Sequence, residues 1–199
     1  MNLYKLHSNK EELIGYKERL HVPSIAWRKL EYAYEDGDDF TKYRKYIIKS
    51  PEFAYRYAHY YMDQERWPEA EPYIIKDPKW ATNYAYNVIG ERWPEAEPLI
   101  MKDPDSAVRY AYNFRNDFEG KGRWREAEPY IATDMGATQD YISYNLEEER
   151  FIEAEDNIMK DPKMANWYSN IILGTPWPEA EQYIKQDPDI WNEYKSNWD

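Results

Sequence analysis

The sequence predicts an all-α fold, an α-α superhelical solenoid of about six two-helix repeats of 26–27 residues. Three observations predict it. The phrase Arg66-Trp67-Pro68-Glu69-Ala70-Glu71-Pro72-Tyr73-Ile74 returns as Arg92-Trp93-Pro94-Glu95-Ala96-Glu97-Pro98-Leu99-Ile100, with weaker copies from Arg123-Trp124, Arg150-Phe151 and Pro176-Trp177 and a divergent one at Asp39-Phe40. A helix-start step follows in every copy: Ser50-Pro51, Asp77-Pro78, Asp103-Pro104, Asp134-Met135, Asp161-Pro162 and Asp187-Pro188. Six residues after that step stands a tyrosine, at Tyr57, Tyr84, Tyr110, Tyr141, Tyr168 and Tyr194.

Residues 1–38, with Trp27, Leu30, Tyr32 and Tyr34, are expected to form an N-terminal helical cap, and residues 39–199 one continuous array. The first half of each repeat carries an aromatic (Phe40, Trp67, Trp93, Trp124, Phe151, Trp177) and, seven residues on, an isoleucine (Ile47, Ile74, Ile100, Ile131, Ile158, Ile184). Alanine stands between them at Ala70, Ala96, Ala127, Ala154 and Ala180, so one apolar stripe defines an amphipathic helix A. Pro72 and Pro98 remove an amide from that helix and restrict it to about two turns, with the second proline near the first turn and a 3₁₀ start.

Helix B begins at the Asp-Pro step, where the acidic side chain accepts from orphaned amides and proline has no amide to lose. Ala54, Ala58, Ala81, Ala85, Ala107 and Ala111 flank its tyrosine at helical spacing, and the small residues let neighbouring helices approach. Gly90 and Gly174 stand where helix B should be capped in a left-handed conformation. The segment Asn116-Asp117-Phe118-Glu119-Gly120-Lys121-Gly122 lengthens one spacing to 31 residues and reads as a loop exposing Phe118. In the last helix Lys195 takes the place of Ala58 and Ala85, which suits the outer face of a terminal repeat.

The phrase with its Lys-Asp-Pro and Tyr-Ala continuation resembles repeats in tailed-bacteriophage proteins over residues 39–199. That resemblance implies a phage origin and action on a bacterial host protein. The Asp-Pro start and short Pro-Glu-Ala segment also resemble, in period and punctuation, leucine-rich variant repeats, in which α and 3₁₀ helices alternate; here aromatics and isoleucine replace the leucines.

Mean hydropathy is −1.03, yet 18% of the residues are aromatic, so large rings must supply much of the core. Cysteine is absent, which excludes disulfides, thiolate metal sites and any cysteine nucleophile. The N-terminal residues have no apolar signal core and no run is long enough to span a bilayer, so a cytoplasmic protein is expected. The net charge of −12 lies wholly beyond residue 65, which disfavours nucleic acid and anionic membranes and favours a protein partner with a basic surface.

The repeated Glu-Ala-Glu gives Glu69/Glu71, Glu95/Glu97, Glu126/Glu128, Glu153/Glu155 and Glu179/Glu181, read as a solvated acidic stripe partly neutralised by Arg66, Arg92, Arg123 and Arg150. Acid/base catalysis needs two carboxyls in different environments, so five similar pairs argue against an enzyme. His7, His21 and His59 match no metal spacing, and neither metal nor cofactor is expected. The expected function is a non-enzymatic protein-protein interaction module that binds or inhibits a host protein. Its contact residues are Tyr55, His59, Tyr86, Tyr112 and Phe118, drawn mostly from variable positions four and eight after the Asp-Pro step. Two alternatives are an acidic nucleic-acid mimic that blocks a DNA- or RNA-binding protein, and a self-assembling structural element. This facing predicts that Tyr110→Ala costs about 3–5 kcal/mol in thermal unfolding and that Glu97→Ala costs little.

Overall fold

Each Asp-Pro, Ser-Pro or Asp-Met step starts a helix because its side chain closes the first turn. The side chains of Ser50, Asp77, Asp103, Asp134, Asp161 and Asp187 accept from the backbone N–H three residues on, at 2.9–3.5 Å. The computed structural model describes residues 23–118 and 122–198, so the cap is seen from Pro23 onward, and His7, His21 and residues 119–121 of the insertion lie outside the described residues. Among the described residues there are 13 α-helices and no strand.

The chain divides into two compact units, residues 1–90 and 91–199. The first contains α1 (Pro23–Glu35), a 3₁₀ turn (Thr41–Tyr43) leading into α2 (Arg44–Ile47), α3 (Pro51–Tyr61), α4 (Glu71–Ile74) and α5 (Pro78–Tyr84), which runs on as a π turn (Ala85–Ile89). The second contains α6 (Glu97–Ile100), α7 (Pro104–Asn113), α8 (Glu128–Ile131), α9 (Met135–Tyr144), α10 (Ile152–Ile158), α11 (Pro162–Tyr168) with its own π turn (Ser169–Leu173), α12 (Pro178–Ile184) and α13 (Pro188–Trp198). Gly90 and Gly174 end the two π turns at φ values of 77° and 61°, a conformation that a side chain disfavours.

Proline goes with the length of helix A beyond the first repeat, where Lys45 stands instead and the four-residue α2 continues the 3₁₀ turn Thr41–Tyr43. Where proline stands five residues after the aromatic, at Pro72, Pro98 and Pro129, the helix is the four-residue α4, α6 or α8. Where Asp156 or Gln182 stands there instead, α10 and α12 run for seven residues. The missing amide interrupts the ladder, and what precedes it is a tight turn held by Ala70 N–H to Trp67 O at 2.9 Å and its equivalents.

The apolar stripes face inward. All six helix A isoleucines and the alanines at 70, 96, 127, 154 and 180 are fully buried, as are the six helix B tyrosines to within 2%. In the first unit Trp27 of α1 stacks on Phe53 at 5.2 Å, and Tyr57 meets Trp67 at 5.0 Å. In the second unit Tyr110 meets Trp124, Tyr141 meets Phe151 and Tyr168 meets Trp177 at 5.2–5.4 Å. Each of these tyrosines therefore packs on the aromatic that opens the following repeat, which spreads the apolar burial along the chain rather than within one helix pair.

Pro98→Gln should extend α6 toward the length of α12. The new amide at position 98 is expected to be protected from hydrogen exchange; exchange at the rate of an exposed loop would show that proline does not limit this helix.

Candidate functional site

The recurring polar device of the fold links the two helices of one repeat. Trp67 N–H donates to the Tyr84 hydroxyl at 2.6 Å, that hydroxyl donates to Glu71 Oε1 at 3.1 Å, and Arg66 grips both oxygens of Glu71 at 2.9 and 3.0 Å. Trp93, Tyr110, Glu97 and Arg92 repeat the arrangement at 2.6–3.0 Å, and Phe151, Tyr168, Glu155 and Arg150 at 2.8–2.9 Å. With Trp124, Tyr141, Glu128 and Arg123 the carboxylate is 2% exposed; Arg123 Nη2 donates to Glu128 Oε2 at 3.4 Å, while Arg123 Nε lies 2.8 Å from Oε1 without hydrogen-bond alignment, so one directed bond and a close charge contact hold that pair.

The first and last repeats depart from the pattern. Trp177 N–H still donates to Tyr194 at 2.7 Å, but Pro176 replaces the arginine and Glu181 pairs with Lys185 at 2.8 Å. In the first repeat Arg44 occupies the glutamate position, and its guanidinium lies over the rings of Tyr57 and Trp67 at 5.6 and 4.8 Å.

These contacts set the ionisation of the site. Burial, aided by the neighbouring glutamates, pushes the Tyr84, Tyr110, Tyr141 and Tyr168 hydroxyls well above the ordinary value of 10.0, against the opposing bond from the backbone. Burial alone would raise Glu155, but the bonds from Arg150 and Tyr168 and the Arg150 charge outweigh it and leave the carboxyl below its ordinary value of 4.5.

The acidic stripe expected from sequence is therefore corrected. Glu71, Glu97, Glu128 and Glu155 are structural ligands of arginine and tyrosine, and only the other member of each pair, Glu69, Glu95, Glu126, Glu153 and Glu179, is solvent-exposed. The reason is the spacing: a glutamate four residues after the aromatic points back at the tyrosine of helix B, while one two residues after it points out.

The expected contact residues divide in the same way. Tyr55 is corrected: it is 8% exposed, accepts from Asn87 at 3.1 Å and stacks between His59 and Trp80. Thr82, Val108 and Asn166 at the same position are also buried, whereas Gln139 and Asn192 there are exposed. Phe118 is corrected too, because it stacks on Trp124 at 5.3 Å beneath the Arg92 guanidinium at 4.1 Å and is only half-buried rather than free in solvent. His59 lies half-buried against Tyr55 and Tyr60. Tyr86 and Tyr112 are exposed as position eight requires.

Within the second unit α7 and α9 line an open groove of about 490 Å³, formed by Asp105, Val108, Arg109 and Tyr112 on one side and Ala137, Asp140 and Tyr144 on the other. Buried Asn145, just after α9, reaches Val108 O at 3.5 Å and Gly122 O at 3.3 Å and so ties the two helices together. Tyr112 and Tyr144 meet edge to face at 6.3 Å at one end. The side chains of Asp105, Arg109 and Asp140 form no hydrogen bond or ion pair among the described residues. Tyr144 escapes a search of position eight because it stands nine residues after its step, as Tyr60 does. Among the described residues no group of three or more His, Asp and Glu is placed to hold a metal ion.

Because Glu97 is bound by Arg92 and Tyr110, Glu97→Ala is now expected to cost about 1–3 kcal/mol, against about 3–5 kcal/mol for Tyr110→Ala; an unchanged melting temperature for Glu97→Ala would restore the solvated-stripe reading. The raised tyrosines contribute stability that is complete below their ordinary value of 10.0 and is lost as pH rises beyond it. The depressed Glu155 contributes stability that is present above 4.5 and is lost as pH falls below it. Tyrosinate absorbance from this latch of backbone amide, tyrosine, glutamate and arginine should thus appear together with unfolding above about pH 10, and its appearance in a folded chain would contradict the assignment. Comparison with family models, curated proteins and solved structures finds no match.

Proposed function

We propose that the chain is a non-enzymatic protein-binding module, built of two-helix repeats stacked as an α-α solenoid, with a bacterial host protein as its class of target. The observation that carries this reading is the α7–α9 groove, in which two exposed tyrosines stand over an apolar floor. The helix B tyrosines and the tryptophans and Phe151 that open helix A are committed to the core, whereas the last turns of successive B helices end in exposed Tyr60, Tyr86, Tyr112, Tyr144 and Ile171. Exposed aromatics on a rigid frame supply large contact area at small entropic cost, and such residues dominate interface energies. The glutamates that a catalytic or mimicry reading would use are half consumed by arginine. Among the described residues no helix is long and apolar enough to cross a membrane.

A tagged pull-down from bacterial lysate tests the proposal with the wild type, a Tyr112→Ala/Tyr144→Ala variant and a variant carrying lysine at Glu69, Glu95, Glu126 and Glu153. A partner held by the wild type and by the lysine variant in the presence of DNA, but lost by the tyrosine variant, is expected. A partner displaced by DNA and lost only by the lysine variant would replace this reading with mimicry.

A further inference from the structure

We infer that the α7–α9 groove receives a lysine or arginine side chain of a basic polypeptide segment, an inference that rests on the protein-binding reading above and names the chemistry of its partner. The first argument is charge. Residues 1–90 hold 14 acidic and 14 basic side chains, whereas residues 91–199 hold 24 acidic and 12 basic, so the whole net charge of −12 belongs to the unit that contains the groove. Several of that unit's cations are already held by its own carboxylates: Arg92 by Glu97, Arg115 by Glu147, Arg123 by Glu128, Arg150 by Glu155 and Lys185 by Glu181. A surface of this balance speeds the approach of a basic partner and slows that of an acidic one.

The second argument is the placement of groups in the groove. Asp105 on α7 and Asp140 on α9 present carboxylates from opposite sides, and neither has a polar partner among the described residues. Val108 and Ala137 are buried and apolar, a floor on which the methylene stem of lysine or arginine can lie while its charge reaches the carboxylates. Tyr112 and Tyr144 are 47% and 58% exposed and offer ring surface to a cation. The chain itself provides an instance: Arg115, paired with Glu147, sits 5.8 Å from the centre of the Tyr112 ring. The volume of about 490 Å³ falls within the range of ligand sites, roughly 300–1,000 Å³, and leaves room for neighbouring residues of the segment.

Arg109 is the one cation in this lining, and it has no polar partner among the described residues. It opposes an incoming cation and would assist an incoming anion, so its removal reports the sign of the guest.

The test uses the full chain and a synthetic array of random-sequence peptides, followed by anisotropy titration of the peptides retained best. The expected result is enrichment of lysine and arginine among retained peptides, loss of retention in Tyr112→Ala/Tyr144→Ala, weakening by about 3- to 10-fold in Asp105→Asn/Asp140→Asn, and tightening of about twofold or more in Arg109→Ala. The opposite pair of effects, weaker with Arg109→Ala and tighter with Asp105→Asn/Asp140→Asn, would overturn the cationic guest but leave a binding groove. Sensitivity to the tyrosines alone would overturn it in favour of an apolar guest. Retention no greater than that of the tyrosine variant would overturn both the guest and the groove. All the substituted side chains are exposed, so circular dichroism and the melting temperature should remain those of the wild type.

Discussion

The bond from a backbone N–H to a tyrosine hydroxyl 17 residues later is the constraint on which the rest of the structure depends. It joins the aromatic residue that opens helix A to the middle of helix B, and it satisfies a buried amide that no helical carbonyl reaches. With the hydroxyl fixed at both ends in four of these places, the tyrosine ring has one position. For Tyr110, Tyr141 and Tyr168 that position faces the aromatic of the next repeat. Polar closure within a repeat and apolar contact to its neighbour therefore come from a single side chain, whereas Tyr57 of the first repeat makes the aromatic contact, to Trp67, without the bond to a backbone N–H among the described residues.

The same device decides which charges remain available. An arginine and a glutamate flank each of four openings, and their pairing removes both from the solvent-facing balance. A partly buried pair with additional hydrogen bonds from tyrosine offsets its own desolvation, which an isolated exposed pair has no need to do. What is left outside is mainly the first glutamate of each Glu-Ala-Glu, Glu148 and the aspartates of the B helices, since Glu147 is held by Arg115. Tyr112 and Tyr144 stand among these, and the α7–α9 groove combines apolar floor, aromatic edge and uncompensated carboxylates.

Much of the fold was legible in the sequence because its signals are local. Asp-Pro steps, left-handed glycines and an alanine-isoleucine stripe each act within a few residues, and the caps, the glycine-ended turns and the buried stripes lie where those signals put them. The effect of Pro72 and Pro98 was legible as a shortening, though the helix left after each is a single turn. The candidate site was less legible. Glu97 and Glu95 differ by two residues and look alike in sequence, and only the long-range approach of Tyr110 separates a ligand from a solvated acid. Phe118 looked exposed because an insertion with glycines usually is, yet Arg92 and Trp124 give it a place to return to. Tyr144 and Asp140 stand beside Tyr112 through the packing of α7 on α9, to which Asn145 adds a bond to the backbone at Val108 across 37 residues.

Native-state hydrogen exchange at the amides of Trp67, Trp93, Trp124, Phe151 and Trp177 tests the latch most directly. These amides belong to the first turn of helix A or precede it, where exchange is ordinarily fast. The account predicts that they exchange only with unfolding of the unit that holds them, and that replacing the paired tyrosine by phenylalanine releases that amide far more than its neighbours. Exchange at the rate of the exposed turns in the unaltered protein would contradict it.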